Sequence, residues 1–222
     1  MNQPWFVTGT DTGSGKTWCT LAVMEYLKNQ GQHVAGMKPI ATGGGFEAGE
    51  LRNSDAVQIM TESNLELPYH WVNPYVFLPP IAPYLAAEQA KSTIQLDIIV
   101  ETYQKLAEMS DVVVVEGIGG WRVPFSAEHD LKDIVHAINA KVILVVGLKL
   151  GCVNHALLTA EIIQRDGCQL AGWMANLITP DFNAQGSIEI ISERLDIPLL
   201  AKMPCLTRLD VPQLASHIKK LV

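Results

Sequence analysis

The sequence has little positive charge and no long hydrophobic run. Its 222 residues include 16 lysines and arginines against 23 acidic residues, so the formal net charge is −7. Because neutralising nucleic-acid phosphates requires a basic surface, this balance argues against a nucleic-acid partner. The most apolar run, KVILVVGLKL at 141–150, is far shorter than the roughly 20 residues of a membrane-spanning helix and contains lysines. We therefore expect neither nucleic acid nor a membrane among its partners.

Cysteine is also scarce, and the familiar metal and nucleophile motifs are missing. The four cysteines form no C-x-x-C pair and match no zinc spacing; they are Cys19, Cys152, Cys168 and Cys205. None of the six histidines lies in a metal-binding spacing, and no G-x-S-x-G nucleophile elbow is present. The first residues, MNQPWFVTGT, do not resemble a signal peptide. Because cytosolic disulfides are rare, we expect free thiols and a cytoplasmic location.

What the sequence does contain is a regular alternation of apolar runs with segments of helical periodicity. Runs such as DVVVVEG at 111–117 are apolar almost throughout, as is typical of parallel strands buried on both faces. The alternation predicts strands at 5–8, 33–39, 111–117, 141–147, 169–176 and 197–204, and helices at 16–30, 97–109, 131–139, 154–167, 187–195 and 212–221. We expect a single α/β domain over 1–222, with a doubly wound, mostly parallel sheet in a three-layer α/β/α arrangement.

Such sheets bind ligands beyond the carboxyl ends of their strands, and the first strand runs into FVTGTDTGSGKT at 6–17. This stretch is similar to the phosphate-binding pattern G-x-x-x-x-G-K-[ST], although its first interval is one residue longer. A glycine-rich turn before a helix presents backbone N–H groups to an anion. Lys16 would reach the outer phosphates and Thr17 would offer its hydroxyl to Mg²⁺. The alternative is an ordinary strand–helix turn with an exposed lysine.

Charged residues also occur near two other strand ends and one helix start. Lys38 closes the second predicted strand and could stabilise charge in phosphoryl transfer, unless it is simply solvated. Glu116 ends a buried strand, where a carboxylate is costly unless it is paired or binds a cation such as Mg²⁺. Asp55 lies near a helix start, which the helix dipole alone would explain. These positions predict a phosphoryl-transfer site at one edge of the sheet.

Two later strand ends carry weaker signals. Asn176 ends a strand, and its amide could read the edge of a nucleobase, although asparagine is also a common turn residue. The stretch GCVN at 151–154 precedes a predicted helix with Asn154 as its N-cap, and a helix start can bind an anion. Trp121 and Trp173 are expected in the core.

Taken together, these motifs resemble the dethiobiotin synthetase family, a branch of the P-loop NTPases. The resemblance runs in the same order from about residue 5 to about residue 206, through FVTGTDTGSGKT, GMKPIATG, RNSDA, VNPYVF, VVVVEGIGGW, VILVVGLKLGCVNHALLTAEII and LAGWMAN. The lengthened phosphate loop is itself similar to that family's pattern. The resemblance implies an ATP-dependent enzyme that joins 7,8-diaminononanoate and CO₂ (or bicarbonate) into dethiobiotin, through a carbamate and a carbamic–phosphoric anhydride.

The resemblance also implies roles for individual residues. Lys16 and Lys38 would be catalytic, and Mg²⁺ would lie among Thr17, Asp55 and Glu116. ATP would contact Gly13, Ser14, Gly15, Lys16, Thr17, Trp18, Asp55, Glu116, Gly117, Ile118, Gly119, Asn176, Leu177, Pro204, Cys205 and Leu206. The diamine would contact Thr42, and its carboxylate would be bound across a homodimer interface by Gly151, Cys152, Val153 and Asn154.

The sequence departs from the family pattern in the nucleotide region, where Leu177 replaces a common aspartate and Cys205 a common tryptophan. Two other classes of phosphate-loop protein remain open. A partition or septum-site ATPase switch typically has a lysine early in the loop, where this chain has Thr10-Asp11-Thr12, and often a basic amphipathic tail. A ligase that forms an amide through a phosphorylated carboxylate is separable only by substrate tests.

Overall fold

The computed structural model describes residues 3–180 and 182–221, and a six-stranded parallel sheet dominates it. The strands within those ranges are β1 Trp5–Gly9, β2 Val34–Met37, β3 Ile40–Thr42, β4 Gly45–Glu47, β5 Glu50–Arg52, β6 Tyr75–Phe77, β7 Val112–Glu116, β8 Lys141–Leu148, β9 Gln169–Leu177 and β10 Leu199–Met203. The main sheet has the order β10-β9-β8-β1-β7-β2, with every pairing parallel. This arrangement confirms the predicted α/β class.

The apolar strands are buried on both faces of this sheet. Along β7, Val113 and Val115 belong to one hydrophobic cluster, whereas Val112 and Val114 belong to the other. Successive side chains of a strand point to opposite faces, so a run of four valines supplies both cores at once. Trp121 and Trp173 are buried in the first cluster, as predicted.

The helices cover the two faces of the sheet. In chain order they are α1 Lys16–Lys28, α2 Ser54–Glu62, α3 Tyr69–Val72, α4 Pro83–Gln89, α5 Leu96–Met109, α6 Leu131–Ala137, α7 Cys152–Arg165, α8 Gln185–Arg194 and α9 Val211–Ser216. All six predicted helices are present, some of them shorter than predicted. In the described part of the chain, none of the helices is long and apolar enough to cross a membrane.

One helix start was predicted wrongly. We expected Asn154 to cap the helix, but α7 begins at Cys152 and its N-cap is Gly151, with a φ of 89°. Glycine reaches this left-handed conformation without the strain that a side chain would add. Asn154 is therefore the third helical residue, and it is exposed. The other end agrees with the sequence, since α7 stops at Arg165 and Gly167 follows with a φ of 75°.

Between β2 and α5 the chain forms small elements that the sequence pattern did not predict. β3 pairs with β6 in parallel, and β4 pairs with β5 as an antiparallel hairpin. The glycine-rich stretch 43–50 is therefore part of a hairpin that leaves Thr42 and Asn53 at its base. Strands of three residues are too short to show an alternating pattern, which explains why the periodicity did not reveal them.

Candidate active site

The phosphate loop connects β1 to α1 and depends on glycine at two positions. Gly13 and Gly15 have φ values of 77° and 84°, which side chains rarely adopt. Gly15 also lies against Asn176, because a Cβ added to it would be 2.0 Å from the side-chain nitrogen of Asn176. The loop thus needs both glycines for its conformation, and it needs Gly15 for close packing as well. This agrees with the sequence prediction of a strand, a glycine-rich turn and a helix.

A cavity of about 700 Å³ lies beyond the carboxyl ends of β1, β7 and β2. This volume is in the range of small-molecule sites. Ten of the predicted site residues line it: Gly13, Gly15, Lys16, Thr17, Lys38, Thr42, Asp55, Glu116, Ile118 and Gly119. The sheet order explains why these residues come together, because β1, β7 and β2 are adjacent in the sheet although they are far apart in sequence.

At the floor of the cavity, Lys38 is paired with two acids. Its ammonium donates to Glu116 Oε1 and lies 3.5 Å from Asp55 Oδ2. Lys38 and Glu116 are both buried, whereas the Asp55 side chain is 38% exposed. Burial works to lower the pKa of Lys38, but the charges of Glu116 and Asp55 hold it above its ordinary value. Lys38 is therefore a fixed cation, and the alternative of a solvated lysine is wrong.

The second lysine of the cavity has a different environment. Lys16 Nζ donates to the backbone carbonyls of Asp11, at 2.9 Å, and Gly119, at 2.6 Å. Burial, followed by the nearby charge of Lys38, lowers the pKa of Lys16 to about 8. Two positive charges thus face one cavity, and only Lys38 has carboxylate partners within ion-pair distance. Such a site is suited to an anion with several negative charges.

The carboxylates leave coordination capacity for a cation. Thr17 Oγ1 donates to Glu116 Oε1 at 3.0 Å, while Glu116 Oε2 is buried without a hydrogen-bond partner among the described residues. A hydroxyl and two carboxylates are hard oxygen donors of the kind that Mg²⁺ prefers alongside substrate phosphates. In residues 3–180 and 182–221, no cluster of three His, Cys, Asp or Glu suitable for a metal occurs.

Two buried asparagines support the site, and sequence reasoning missed both. The Asn53 side chain caps α2 by accepting from the backbone N–H groups of Asp55 and Ala56, and it donates to the carbonyl of Thr42 at 3.3 Å. Asn73 Nδ2 donates to the carbonyl of Lys38 at 2.6 Å. The pattern Asn-Ser-Asp before a helical segment is a recognisable N-cap signal that could have identified the first. No comparable signal marks the second.

Further lining residues come from the segment between β6 and α4. Pro80, Ile81, Ala82 and Pro83 form the apolar side of the cavity. Proline is common at the first turn of a helix, and Pro83 is the first residue of α4. The sequence LPPIAP at 78–83 therefore signalled a helix start, but it gave no sign that the segment would line the site.

The remaining predicted residues lie outside the cavity lining. Asn176, at the end of β9, donates its side-chain N–H to the carbonyl of Ser14 at 2.8 Å and so contacts the phosphate loop directly. Leu177, Trp18 and the segment 204–206 are half-buried near the ends of neighbouring elements. The segment 151–154 opens α7. The cavity lining thus unites most of the residues predicted to contact phosphate and metal, without Ser14 and Gly117, and it does not include the residues predicted to contact the base and the carboxylate.

Comparison with known proteins gives a consistent assignment. A family model described as an AAA domain matches residues 3–213. ATP-dependent dethiobiotin synthetase BioD from Aromatoleum aromaticum is 39% identical over 222 residues, covering 99% of each chain. The protein of that name from Vibrio parahaemolyticus is 40% identical, covering 98% of this chain and 96% of its own. The chain belongs to the dethiobiotin synthetase family. Its members are enzymes, and the regions that align with these two relatives cover nearly the whole of this chain.

Solved structures with the same architecture are much more distant in sequence. The cell division protein MinD from Aquifex aeolicus aligns with a TM-score of 0.58 at 16% identity, covering 98% of this chain and 88% of its own. The septum site-determining protein MinD from Pyrococcus horikoshii, complexed with Mg-ADP, aligns with a TM-score of 0.51 at 16% identity, covering 92% and 82%. At such low identity these matches establish the shared fold only. The dethiobiotin synthetase family and these MinD proteins therefore differ in sequence while sharing a fold.

Proposed function

We propose that this chain converts 7,8-diaminononanoate, CO₂ and ATP into dethiobiotin, ADP and phosphate, with Mg²⁺ as cofactor. The observation that carries the proposal is the single cavity that holds Lys16, Lys38, Asp55 and Glu116 at the end of a phosphate loop. Family membership supplies the reaction class, because the relatives are named as ATP-dependent dethiobiotin synthetases. The cavity contains two lysine ammonium groups and a carboxylate oxygen without a partner, Glu116 Oε2. These groups are suited to phosphoryl transfer.

The first half of the reaction makes a leaving group. One amine of the diamine adds to CO₂ and loses a proton, which gives a carbamate. A carbamate oxygen then attacks the γ-phosphorus of ATP, the bond to the β-phosphate oxygen breaks, and ADP leaves. Lys16 and Lys38 would neutralise the charge that the attacking and transferring oxygens share in this step. The product is a carbamic–phosphoric anhydride.

The second half closes the ring. The other amine attacks the carbonyl carbon of the anhydride, the carbon–oxygen bond to phosphate breaks, and the nitrogen loses its proton. Lys38, fixed by Glu116 and Asp55, would stabilise the oxygen that becomes negative during this attack. Because both amines belong to one molecule, the enzyme's contribution is chiefly to hold the reacting atoms in line.

Mg²⁺ would be held by Thr17, Asp55 and Glu116. The unpartnered Oε2 of Glu116 and the part-exposed carboxylate of Asp55 supply oxygens for it. Bound there, the ion would neutralise the phosphate oxygens and keep ATP oriented. The phosphates would lie against Gly13 to Thr17 and Gly117 to Gly119, with the base near Trp18, Asn176, Leu177 and the segment 204–206.

The carboxylate of the diamine would be bound by residues 151–154 of a second copy of the chain. The start of α7 offers backbone N–H groups to an anion. Beside it, Leu150 is 93% exposed, and Leu158 on the same helix is 58% exposed. Exposed leucines next to a predicted substrate segment support a homodimer interface. Light scattering during size-exclusion chromatography tests this part separately, and a monomer under active conditions contradicts it.

The reaction is tested by supplying the chain with ATP, Mg²⁺, 7,8-diaminononanoate and ¹³C-bicarbonate. We expect a product that contains one ¹³C atom by mass spectrometry, and ADP release that requires both the diamine and bicarbonate. ADP release that is unaffected by omitting the diamine contradicts the proposal and favours a nucleotide switch. A ligase that acts through a phosphorylated carboxylate would release ADP with the diamine but incorporate no ¹³C.

A further inference from the structure

The loop at 117–123, between β7 and α6, supplies backbone acceptors to both lysines of the cavity. The carbonyl of Gly117 accepts from Lys38 Nζ at 3.2 Å, and the carbonyl of Gly119 accepts from Lys16 Nζ at 2.6 Å. Gly119, Gly120 and Val123 also line the cavity. The loop therefore helps to fix where the two ammonium groups lie before a ligand arrives, together with the acceptors that each lysine has outside the loop.

An acid outside the cavity holds this loop by two consecutive side chains. Asp166 Oδ2 accepts from the indole nitrogen of Trp121 at 2.7 Å, and Asp166 Oδ1 accepts from Arg122 at 2.6 Å. The Asp166 side chain is only 10% exposed, although Arg122 is 46% exposed. The ring of Trp121 is buried and packs edge-on against Phe6 in β1. One carboxylate thus fixes the loop at two consecutive residues.

Local rules do not explain an acid at this position. Asp166 is the C-cap of α7, where the negative end of the helix dipole disfavours a carboxylate. Its own backbone is fixed as well, because its carbonyl bonds to His136 Nε2 at 2.8 Å. Residues that break a local preference are often compensated elsewhere in the structure, and here the compensation is the pair of donors from the loop.

We propose that Asp166 is a positioning residue, which fixes the 117–123 loop so that the carbonyls of Gly117 and Gly119 hold Lys38 and Lys16 ready for the nucleotide. Its carboxylate bonds to Trp121 and Arg122, which do not line the cavity, and it acts through them. The proposal depends on the proposed function only for the identity of the reaction. Nucleotide binding can be measured without the diamine, so the two can fail separately.

The test is the affinity of Asp166→Asn for Mg²⁺ with a non-hydrolysable ATP analogue, measured by calorimetry well below the unfolding temperature. The amide keeps the size of the side chain but turns an N–H group toward one of the two donors. We expect binding weaker by about fivefold, and a kcat lower by about tenfold, because the loop no longer gives Lys16 a fixed acceptor. Asp111→Asn, at an exposed acid paired with His33, is the matched control and should bind like the parent chain.

A second variant covers the case in which Asp166→Asn does not fold. Trp121→Phe removes the N–H that Asp166 accepts together with part of the indole ring, and it leaves a smaller phenyl ring to pack against Phe6. We expect it to weaken analogue binding in the same direction, and Asp166→Asn to weaken binding less when added to Trp121→Phe than when made alone. Asp166→Glu, which retains the charge, should recover part of the affinity. Parent-like analogue binding by either folded single variant overturns the proposal.

Discussion

At the carboxyl edge of the sheet, the neighbouring strands β1, β7 and β2 lead to Lys16, Glu116 and Lys38, all buried. The other three strands, β8, β9 and β10, lead to side chains that are neutral or exposed, in the segments 151–154, 176–177 and 204–206. The first group is held together by ion pairs and hydrogen bonds within one chain. Within the described residues, the second group contributes one such side-chain contact, the hydrogen bond of Asn176 to the phosphate loop.

This difference suits the first group to stabilising charge during the reaction and the second group to binding substrates. Charges that are paired and buried keep their geometry without a ligand, as electrostatic stabilisation of a transition state requires. Under the proposed function, a nucleotide or a second chain would cover the neutral residues of the second group. We therefore expect substitutions near β1, β7 and β2 to change kcat, and substitutions near β8, β9 and β10 to change KM.

The largest expected effect is that of Lys38→Gln, which affects both turnover and stability. It leaves the buried carboxylate of Glu116 without its cation, and removing one partner of a buried pair costs about 3–5 kcal/mol in the free energy of unfolding. Turnover should fall by about 10²–10³ as one electrostatic donor is lost. Urea unfolding and phosphate release measure the two losses.

A double variant is the control for this prediction. Adding Glu116→Gln to Lys38→Gln removes the unpaired charge, so most of the stability should return while turnover stays at least as low as in Lys38→Gln. If Lys38→Gln unfolds at the same urea concentration as the parent chain, the ion pair does not contribute to stability as the structure implies.

The second prediction concerns Lys16→Gln, which should reduce turnover without loss of stability. Lys16 is bound to carbonyl oxygens and is repelled by Lys38, so neutralising it removes an unfavourable charge. We expect kcat to fall by about 10²–10³ and the melting temperature to stay level or rise. Lys149→Gln is the matched control, since Lys149 also contacts Asp11 but is 40% exposed. Equal losses of melting temperature and activity in Lys16→Gln would make Lys16 a structural residue.

The third prediction uses the pKa of Lys16, which is lowered to about 8 in the free protein. A bound triphosphate favours the charged lysine, so binding above pH 8 should be accompanied by proton uptake, and affinity should fall about tenfold for each pH unit above 8. Between pH 8 and the ordinary lysine pKa the unfolded chain binds more protons at this residue. The contribution of Lys16 to stability therefore becomes more favourable as pH rises through that window.

Calorimetry in two buffers with different ionisation enthalpies measures the proton uptake. At pH 8.5 the two buffers should give different apparent binding enthalpies for the parent chain, and the difference should shrink in Lys16→Gln. Identical enthalpies in both buffers for the parent chain would contradict the lowered pKa.

Features with a strong local pattern could be predicted from the sequence, whereas features that depend on distant contacts could not. The long apolar strands and the phosphate loop were predictable, because burial on both faces and the Gly-Lys-Thr turn have strong local patterns. The meeting of Lys38 and Glu116 followed from the rule that parallel strands end at one edge, whereas Asp55, at a helix start, was assigned to the site only through the family resemblance. Asn73 and the proline segment 80–83 were not predictable, since their contacts depend on how irregular segments fold back onto the sheet. Asp166 gave no local signal either, because its partners lie 44 and 45 residues away.

The smallest expected effect concerns the group of residues that follow β8, β9 and β10. It tests whether this group affects KM rather than kcat. Asn176→Ala removes the hydrogen bond to Ser14, which is worth about 1 kcal/mol or about fivefold in affinity. We expect KM for ATP to rise by that factor while kcat changes little, because Lys16 and Lys38 keep their own contacts. Asn64→Ala is the matched control: Asn64 also bonds to backbone groups, at Val34 and Gln32, away from the cavity lining, so it should lower stability and leave KM unchanged. A fall in kcat as large as that of Lys16→Gln would place Asn176 among the residues of the chemical step, and the two halves would then act as one unit.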